Sequence, residues 1–400
     1  MTMTKNKEKR VLNVPPLRFP EFTGEWEMCT LGEVANFIKE RIRTDELSST
    51  NYISTENMNS NFGGITPAVS IPDSTNVIRY RKGDILLSNI RPYLRKVWAA
   101  SNDGGCSADI FVFRANKLSS SFLYYVMAND TFINYVMAGT KGVKMPRGDK
   151  EQMLKYNFSI PKKEEQDKIS SLLFLLDQRI ATQNKIIEKL QSLIQAMCDT
   201  LIEKETRQVT LSFRDFGQSY SGLSGKSAED FGEGYPFITY MNVYQNKIID
   251  STDVGLVKIN KTEQQSVVRY GDVLLTLSSE TPKEVGMGAV YLGETYPLYL
   301  NSFCIGIHIT DEAKIYPPFL AYYISSHSFR KAVYPLAQGI TRFNLQKNDF
   351  MKKKFSFPVI EKQRKIYSIL KTYSDKLIVE KLIMRLLCNQ KSYLLHQLFI

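Results

Sequence analysis

The chain has 400 residues, of which 43% are hydrophobic, and it carries a formal net charge of +11. That length exceeds one ordinary core and suits two globular units of roughly 150 residues each plus connecting helices, while the charge permits a polyanionic partner without requiring one. No apolar run reaches the roughly 20 residues of a membrane span, and five separated cysteines without a Cys-x-x-Cys pair argue for a reducing cytoplasm and against a zinc site.

The first globular unit is predicted over residues 16–161, after a polar, basic tail at residues 1–15 that is expected to be disordered. Short runs rich in β-branched and aromatic residues predict strands at 84–88 and 110–113, and a helix over 121–138 follows them. Loops beside these elements interleave polar, basic and aromatic side chains. Their candidate contact residues are Asn89, Arg91, Tyr93, Arg95, Lys96, Lys141, Lys144 and Arg147.

A long helix is predicted next, over residues 162–206. Pro161 stands at its natural start, where a missing amide costs nothing, and no Gly or Pro interrupts the roughly 50–60 Å that follow. Apolar residues recur there at alternating spacings of four and three, which is typical of a coiled-coil seam, with Gln183 as its one polar position. The candidate seam residues of this helix are Ile169, Leu173, Leu176, Ile180, Ile187 and Leu190.

The second globular unit is predicted over residues 207–357, again with strands, at 273–277 and 304–309, ahead of a helix over 318–335. A second long helix is predicted over residues 358–400. Candidate contact residues in the second unit are Tyr220, Ser221, Lys226, Tyr240, Asn242, Thr341, Arg342 and Asn344. The seam of the second helix consists of Ile366, Leu370, Leu377, Met384 and Leu387.

The two halves of the chain repeat one another. Residues 122–201 recur 197 positions later as 319–398, so that Pro358 corresponds to Pro161 and Glu380 to Gln183. Weaker matches upstream align residues 81–87 with 269–275 and residues 52–58 with 237–243. The chain is therefore a tandem duplication, predicted as an α+β fold of two mixed α/β domains separated by two long helices. An antiparallel coiled coil of these helices would hold the two units at opposite ends of a rod, about a pseudo-two-fold axis. The alternative is two independent amphipathic helices, each packed on its own domain.

The chemistry of the candidate loops indicates a surface that reads a nucleic-acid groove. Arg and Lys neutralise phosphates or bind guanine edges, Asn and Gln suit adenine, and Gly permits close approach of the backbone. Ordinary solvated loops have a similar composition. The richest loops fall at corresponding places in both copies, however, and this repetition favours a binding surface.

Patterns that would indicate an enzyme are incomplete. Ser224-Gly225-Lys226-Ser227 resembles the end of a phosphate-binding loop, but Tyr220 stands where the first glycine is required. The histidines have no metal-ligand spacing, and no nucleophile, base and orienting group can be assembled. The sequence therefore favours a binding protein.

These residues resemble those of a type I restriction-modification specificity subunit over nearly the whole chain. The resemblance rests on Pro16-Leu17-Arg18-Phe19-Pro20-Glu21-Phe22, on Gly83-Asp84-Ile85-Leu86 with Gly271-Asp272-Val273-Leu274, and on the run from Gln338-Gly339-Ile340-Thr341-Arg342-Phe343-Asn344-Leu345 into Glu361-Lys362-Gln363. One position departs from the repeat. Met145 stands where the second copy has Arg342, so Lys144 and Arg147 are the candidates for the corresponding role.

The resemblance implies two target-recognition domains, each reading one half of an asymmetric, bipartite sequence in double-stranded DNA. It implies helices that set the spacing and dock two methylation (M) subunits, with two restriction/translocation (R) subunits completing a cytoplasmic, membrane-free assembly. The chain itself would be non-catalytic and bind no cofactor, since S-adenosylmethionine, ATP and magnesium would belong to the partners. The alternatives are a coiled-coil scaffold for proteins with only non-specific DNA affinity, and a self-contained nuclease or methyltransferase.

Overall fold

The computed structural model describes residues 12–142 and 144–400. The chain divides into two units: unit 1 comprises Met1–Asn184 and Ile383–Ile400, and unit 2 comprises Lys185–Leu382. Each unit combines small sheets with short helices and with parts of two long helices. The predicted α+β fold is confirmed.

Unit 1 consists of short strands followed by short helices, as the sequence predicts. Its strands are β1 (Glu27–Thr30), β2 (Ala35–Phe37), β3 (Arg41–Arg43), β4 (Tyr52–Ile53), β5 (Asn76–Tyr80), β6 (Ile85–Ser88), β7 (Val97–Ala99), β8 (Gly104–Cys106), β9 (Ile110–Ala115) and β10 (Asn157–Ile160). Its helices are α1 (Leu31–Val34), α2 (Ser120–Met127), α3 (Asp130–Ala138), α4 (Lys150–Leu154) and the first part of α5 (Lys163–Glu203).

Unit 2 repeats this order with one added sheet. Its strands are β11 (Gln208–Ser212), β12 (Gly217–Ser221), β13 (Phe231–Ile238), β14 (Val254–Val257), β15 (Val273–Thr276), β16 (Ser278–Ser279), β17 (Gly288–Val290), β18 (Tyr299–Leu300), β19 (Cys304–Ile309), β20 (Ala337–Gln338), β21 (Phe343–Leu345) and β22 (Lys354–Pro358). Its helices are α6 (Tyr240–Gln245), α7 (Pro317–Tyr323), α8 (His327–Val333), α9 (Lys347–Lys352) and the first part of α10 (Ile360–Gln397).

The duplication is visible in the sheet topology. Unit 1 has a sheet of order β2-β9-β6-β7, and unit 2 has one of order β12-β19-β15-β17. In each unit the first and last strands also form an antiparallel pair, β1 with β10 and β11 with β22. Both units therefore have the same frame, whose strands β6 and β15 are wholly buried.

The single helix predicted after the strands is two helices in each copy. Asn129 interrupts the first because its side chain accepts a hydrogen bond from the Thr131 amide and so begins α3. Ser326 does the same for α8 through the Phe329 amide. Both are favoured helix N-cap residues, whose side chains satisfy an amide that the helix leaves free.

The repeated Gly-Asp pair gives each frame a buried carboxylate. Asp84 accepts two hydrogen bonds from Arg114, at 2.7 and 2.8 Å, and one from the Arg81 amide at 2.8 Å. Asp272 accepts instead from the Tyr220 hydroxyl at 2.7 Å and the Arg269 amide at 2.8 Å, and its other oxygen lies 2.8 Å from Nδ1 of His308. Equivalent Asp residues are thus held by a bidentate Arg in unit 1 and by Tyr and His in unit 2.

The long helices are antiparallel where they meet inside each unit. In unit 1 the Asp177 carboxylate pairs with Lys391 at 2.6 Å, and Leu173, earlier in α5, shares a core with Leu395, later in α10. In unit 2 the last turns of α5 share a core with the first turns of α10, through Cys198 and Leu370 among others. The predicted seam residues are the inward ones. Those that are buried are Ile169, Leu173, Leu176, Leu190, Ile366, Leu370 and Leu387, and those that are half-buried are Ile180, Ile187, Leu377 and Met384.

A buried glutamine ties each long helix to the short helices of its unit. Gln166 accepts from the Ser119 amide at 3.0 Å and donates to the Pro161 carbonyl at 2.8 Å. Gln363 makes the equivalent bonds to the Tyr316 amide and the Pro358 carbonyl, both at 2.8 Å. The glutamine repeated after each proline is therefore a structural clamp.

Part of the expected tail is packed. Residues 1–11 lie outside the described residues, but Asn13 donates from its side chain to the Trp26 carbonyl at 2.7 Å, and Pro15 is buried. Arg18 then forms a bidentate pair with Glu165, whose side chain is 2% exposed. The expectation of disorder is wrong for residues 13–15, because these bonds fasten them to unit 1. Within the described ranges, no helix is both long and apolar enough to cross a membrane.

Candidate nucleic-acid interface

The predicted loops of unit 1 lie side by side. An isolated antiparallel bridge joins Ile90 to Arg147, a second joins Lys141 to Arg147, and the Arg91 amide donates to the Pro146 carbonyl at 2.8 Å. Residues 88–96 therefore form one surface with the described part of 141–147, although the two segments are far apart in sequence.

Unit 2 builds the same surface as a complete sheet. β16 pairs Ser278 with Asn344, and β20 pairs Gln338 with Asn344 in the hairpin β20–β21. These pairs match the two isolated bridges of unit 1, so Asn344 occupies the place of Arg147. We call residues 141–147 and 338–344 the first and second hairpins.

Glycine makes both hairpins possible. Gly142 has a φ of +91° and Gly339 a φ of +141°, and a Cβ on Gly339 would lie 2.0 Å from the Arg342 carbonyl oxygen. Only glycine accepts these conformations at little cost. The repeated glycine therefore fixes the shape of each hairpin and leaves the residues after it free to vary.

Strained backbone presents the basic loop of unit 1. Arg91 and Arg95 have φ values of 51° and 55°, left-handed conformations that cost an ordinary residue roughly 1–2 kcal/mol each. A second strained pair, Asn61 and Phe62, braces them, since their amides donate to the carbonyls of Leu94 and Arg95 at 2.9 and 2.8 Å. Strain of this kind concentrates at functional sites.

The cations of the first surface are not all available to a ligand. Arg91 and Lys144 are exposed and have no ion pair among the described residues. Lys141 pairs with Asp149 at 2.8 Å, and this hydrogen bond raises the pKa of Lys141. Arg147 lies 3.5 Å from Asp109, in an exposed contact that solvent weakens. Arg91, Lys144 and Arg147 thus form the accessible positive group together with Lys141, whose side chain is 83% exposed, and the exposed ring of Tyr93 lies beside it.

Three other candidates in unit 1 have polar atoms that are paired or buried within the unit. Arg95 pairs with Asp130 at 3.0 Å, and the Lys96 ammonium donates to the Thr55 carbonyl at 2.6 Å. The Asn89 side-chain oxygen is buried without a hydrogen-bond partner among the described residues, while its backbone bonds Asp109 and Gly148. Because this oxygen is buried, only the amide nitrogen of the half-buried Asn89 is left for the predicted contact, which stays a prediction.

In unit 2 the second hairpin is the exposed part. Thr341, Arg342 and Asn344 are all exposed, and Ile340 at the tip is 94% exposed. The Arg342 guanidinium lies 5.9 Å from the centre of the Phe303 ring. The predicted residues of this hairpin therefore meet solvent as a groove-reading surface requires.

The other candidates of unit 2 divide between surface and core. Ser221 is exposed at the end of β12. Tyr220 is buried and bonded to Asp272, and Asn242 is wholly buried, donating to the carbonyls of Asp250 and Asp253. The Lys226 side chain is 4% exposed and pairs with Glu263 at 2.5 Å. Contact with a nucleic acid is therefore wrong for Tyr220, Asn242 and Lys226, because their polar atoms are already bonded inside the unit.

A cleft of about 440 Å³ beside the second hairpin was not expected from the sequence. Tyr240, whose hydroxyl donates to the Ser278 carbonyl at 2.8 Å, forms one wall, and Arg342 forms another. Its other lining residues are Met241, Tyr244, Ser278, Ser279, Glu280, Glu284 and Phe303. The signal that could have found it is Phe303, a large apolar residue just before a strand, which is 55% exposed. Across the described part of the chain no cluster of His, Cys, Asp or Glu could hold a metal ion.

Comparison with known proteins identifies both copies. The family model described as "Type I restriction modification DNA specificity domain" matches twice, over residues 23–192 and 214–385. The type I restriction enzyme MjaVIII specificity subunit of Methanocaldococcus jannaschii is 24% identical to the chain over 418 aligned positions, which cover 94% of this chain and 91% of that protein. The EcoDI specificity subunit of Escherichia coli is 32% identical over 87 positions, covering 22% of this chain and 19% of that protein.

Two solved structures have a similar fold over almost their full length. A chain from a structure of the type I R-M system matches with a TM-score of 0.58 at 18% identity, covering 92% of this chain and 96% of the other. The type I restriction-modification S subunit of M. genitalium matches with a TM-score of 0.55 at 17% identity, covering 97% and 99%. At these identities the likeness concerns the fold, which includes both duplicated units.

Proposed function

The chain belongs to the type I restriction-modification DNA specificity family, and on that premise we propose that each of its two target-recognition domains reads one half of a split, asymmetric sequence in double-stranded DNA. The family match favours this function over a protein scaffold with only non-specific DNA affinity. One observation supports it above the rest: the two hairpins occupy equivalent places in equivalent frames but carry different side chains. The first presents Lys144 and Arg147, and the second presents Thr341, Arg342 and Asn344. Equivalent frames with unlike surfaces suit two different half-sites.

The charges of the two surfaces fit a division between positioning and readout. Arg91 and Lys144 can neutralise phosphates, which supplies most of the affinity and makes binding fall steeply with salt. Arg342 and Asn344 have the geometry to bond guanine and adenine edges in the major groove. Phosphate contacts fix the register of a protein on the duplex, whereas base contacts give its specificity.

We infer that the long helices dock methylation subunits. In unit 1 four large apolar side chains of these helices, Phe174, Leu175, Leu386 and Tyr393, are each between 54 and 62% exposed. In unit 2 the same is true of Ile378, Val379 and Leu382, at 50 to 65%. Along α10 the exposed positions 379, 382, 386 and 393 form a second apolar stripe, opposite the one that packs inside each unit. An uncovered stripe at this spacing suits a partner helix.

The wider assembly is part of the proposal. Two methylation subunits and two restriction/translocation subunits would join the chain in the cytoplasm, and S-adenosylmethionine, ATP and magnesium would act in those subunits. The chain would then contribute recognition and no catalytic group of its own.

Co-expression with the cognate methylation subunit, followed by mapping of methylated bases, tests the function. One split motif is expected, and scattered or absent methylation would refute it. Exchanging residues 207–357 for the equivalent part of a relative should then change one half of the motif only. A change in both halves would show that the domains do not read independently.

A further inference from the structure

The cleft beside the second hairpin is lined by a carboxylate, Glu284, that its neighbours hold in place. The Ser279 hydroxyl donates to the Glu284 carboxylate at 2.9 Å. Hydrogen bonds from Ser279, Tyr244 and Thr281 hold the pKa of Glu284 below its ordinary value. An ionised carboxylate is an acceptor only, so Glu284 can receive a hydrogen bond from a ligand but cannot donate one.

Arg330 holds the loop that carries Glu284. Its guanidinium donates to the carbonyls of Gly286, Lys283 and Val285 at 2.6, 2.8 and 2.7 Å. These bonds direct three of its five N–H donors to one short segment, and burial lowers the pKa of Arg330. A carboxylate on a loop fastened in this way is presented in one position, as discrimination between bases requires.

The rim of the cleft suits a nucleobase and its backbone. Phe303 is 55% exposed and Met241 is 47% exposed, so both offer apolar surface to a ligand. Arg342 stands over Phe303 and has no ion pair among residues 12–142 and 144–400. β16 carries Ser278 and Ser279 into the cleft and also pairs with β21 of the second hairpin. The cleft therefore opens on the surface proposed to face DNA.

We propose that Glu284 is a specificity-determining residue that accepts a hydrogen bond from the exocyclic amino group of a cytosine in the half-site read by unit 2. Among major-groove edges, cytosine presents a donor, whereas guanine presents two acceptors and thymine one acceptor, which a carboxylate repels. Adenine presents a donor beside an acceptor and is better matched by Asn or Gln. Arg330 is a positioning residue in this scheme, since it acts through the loop and touches no base. The inference depends on the proposed function, because it assigns one contact within that readout.

Glu284→Gln tests this assignment in the full chain co-expressed with its methylation subunit. The amide keeps an acceptor for Ser279 but adds a donor, so the cytosine preference should fall about 5- to 100-fold at one position of one half-site and shift toward adenine. Glu312→Gln, an equally conservative change at an exposed acid elsewhere in unit 2, should leave the motif unchanged. Arg330→Lys, which cannot reach all three carbonyls, should relax the same position as Glu284→Gln.

The outcomes separate this inference from the function itself. An unchanged motif with Glu284→Gln, or relaxation at several positions, overturns the assignment while leaving the specificity function intact. If the variant methylates no site, competition binding with duplexes that carry each base pair at each position tests the assignment. A loss of binding preference at one cytosine position supports the assignment of Glu284. An equal loss at every position overturns it. If the wild-type chain yields no split motif, the proposed function fails and this inference fails with it.

Discussion

Replacing Arg114 by Met should destabilise unit 1 severely, because it removes the partner of a buried charge. Asp84 is 2% exposed and would keep only the hydrogen bond from the Arg81 amide. Breaking one side of such a pair costs about 3–5 kcal/mol. The contact between Arg114 and Glu40 contributes little, because Glu40 is 39% exposed and solvent screens it. The hydrogen bond to Asp84 also raises the pKa of Arg114, so Arg114 is charged at any working pH.

Calorimetry of the full chain measures the effect. For a unit of this size each kcal/mol lowers the unfolding midpoint by roughly 2–4 °C, so the transition of unit 1 should fall by about 6–20 °C. A matched change in unit 2, His308→Met, should cost less, since Asp272 keeps the Tyr220 hydroxyl and the Arg269 amide. Adding Asp84→Asn to Arg114→Met should restore part of the loss by removing the unpaired charge. A loss under about 1 kcal/mol for Arg114→Met, or no recovery in the double variant, would refute the reasoning.

Three further changes test the clamps, caps and charges. Gln363→Leu leaves the Tyr316 amide and the Pro358 carbonyl without their partner, so the free energy of unfolding measured with denaturant should fall by about 1–3 kcal/mol. A loss near zero would mean that water replaces the side chain of Gln363. Hydrogen bonds lower the pKa of Asp215 from its ordinary value of 3.8, and the largest effect comes from the Ser212 amide. The stability that ionised Asp215 contributes is therefore present above pH 3.8 and is lost as the pH falls below it. Asp215→Asn should therefore flatten the acid limb of the stability–pH curve, and an unaltered limb would contradict a stabilising role for these hydrogen bonds. Lys144→Ala should reduce the slope of log affinity against log salt by about one. Lys226→Ala should leave this slope unchanged, because Lys226 is already paired with Glu263 inside unit 2. Equal slopes for both variants would exclude Lys144 from phosphate contact.

The frame could be predicted from the sequence because it depends on patterns that repeat. The duplication, the seam spacing and the strands after each Gly-Asp pair all reflect burial, and burial leaves periodic apolar positions in a sequence. The role of Asp84 could not be predicted in the same way. Its partner Arg114 lies 30 residues away on a neighbouring strand, and only the sheet register brings them together.

The candidate site was predicted only in part because composition does not tell which way a polar side chain faces. Arg342 and Lys144 are exposed on hairpins at equivalent places in both units, so their contact with DNA stays a prediction that the fold allows. The prediction for Asn242 is wrong because the predicted loop at residues 239–242 is the start of α6, with Thr239 as its N-cap. Glu284 was missed because nothing local marks it, and its significance depends on bonds to Ser279 and on the clamp by Arg330.

The order of the two units along the chain also constrains how the protein folds during synthesis. Residues 383–400 belong to unit 1, where Phe399 packs on Phe122 and the Ile400 carbonyl accepts from the Ser159 amide at 3.1 Å. Unit 2 is thus inserted within unit 1, and its own residues are contiguous. During synthesis unit 2 can fold as soon as it emerges from the ribosome, whereas unit 1, though translated first, completes its core last. A chain truncated after residue 382 would therefore keep every residue of unit 2 but lack part of the unit 1 core, and unit 1 would be open to proteolysis.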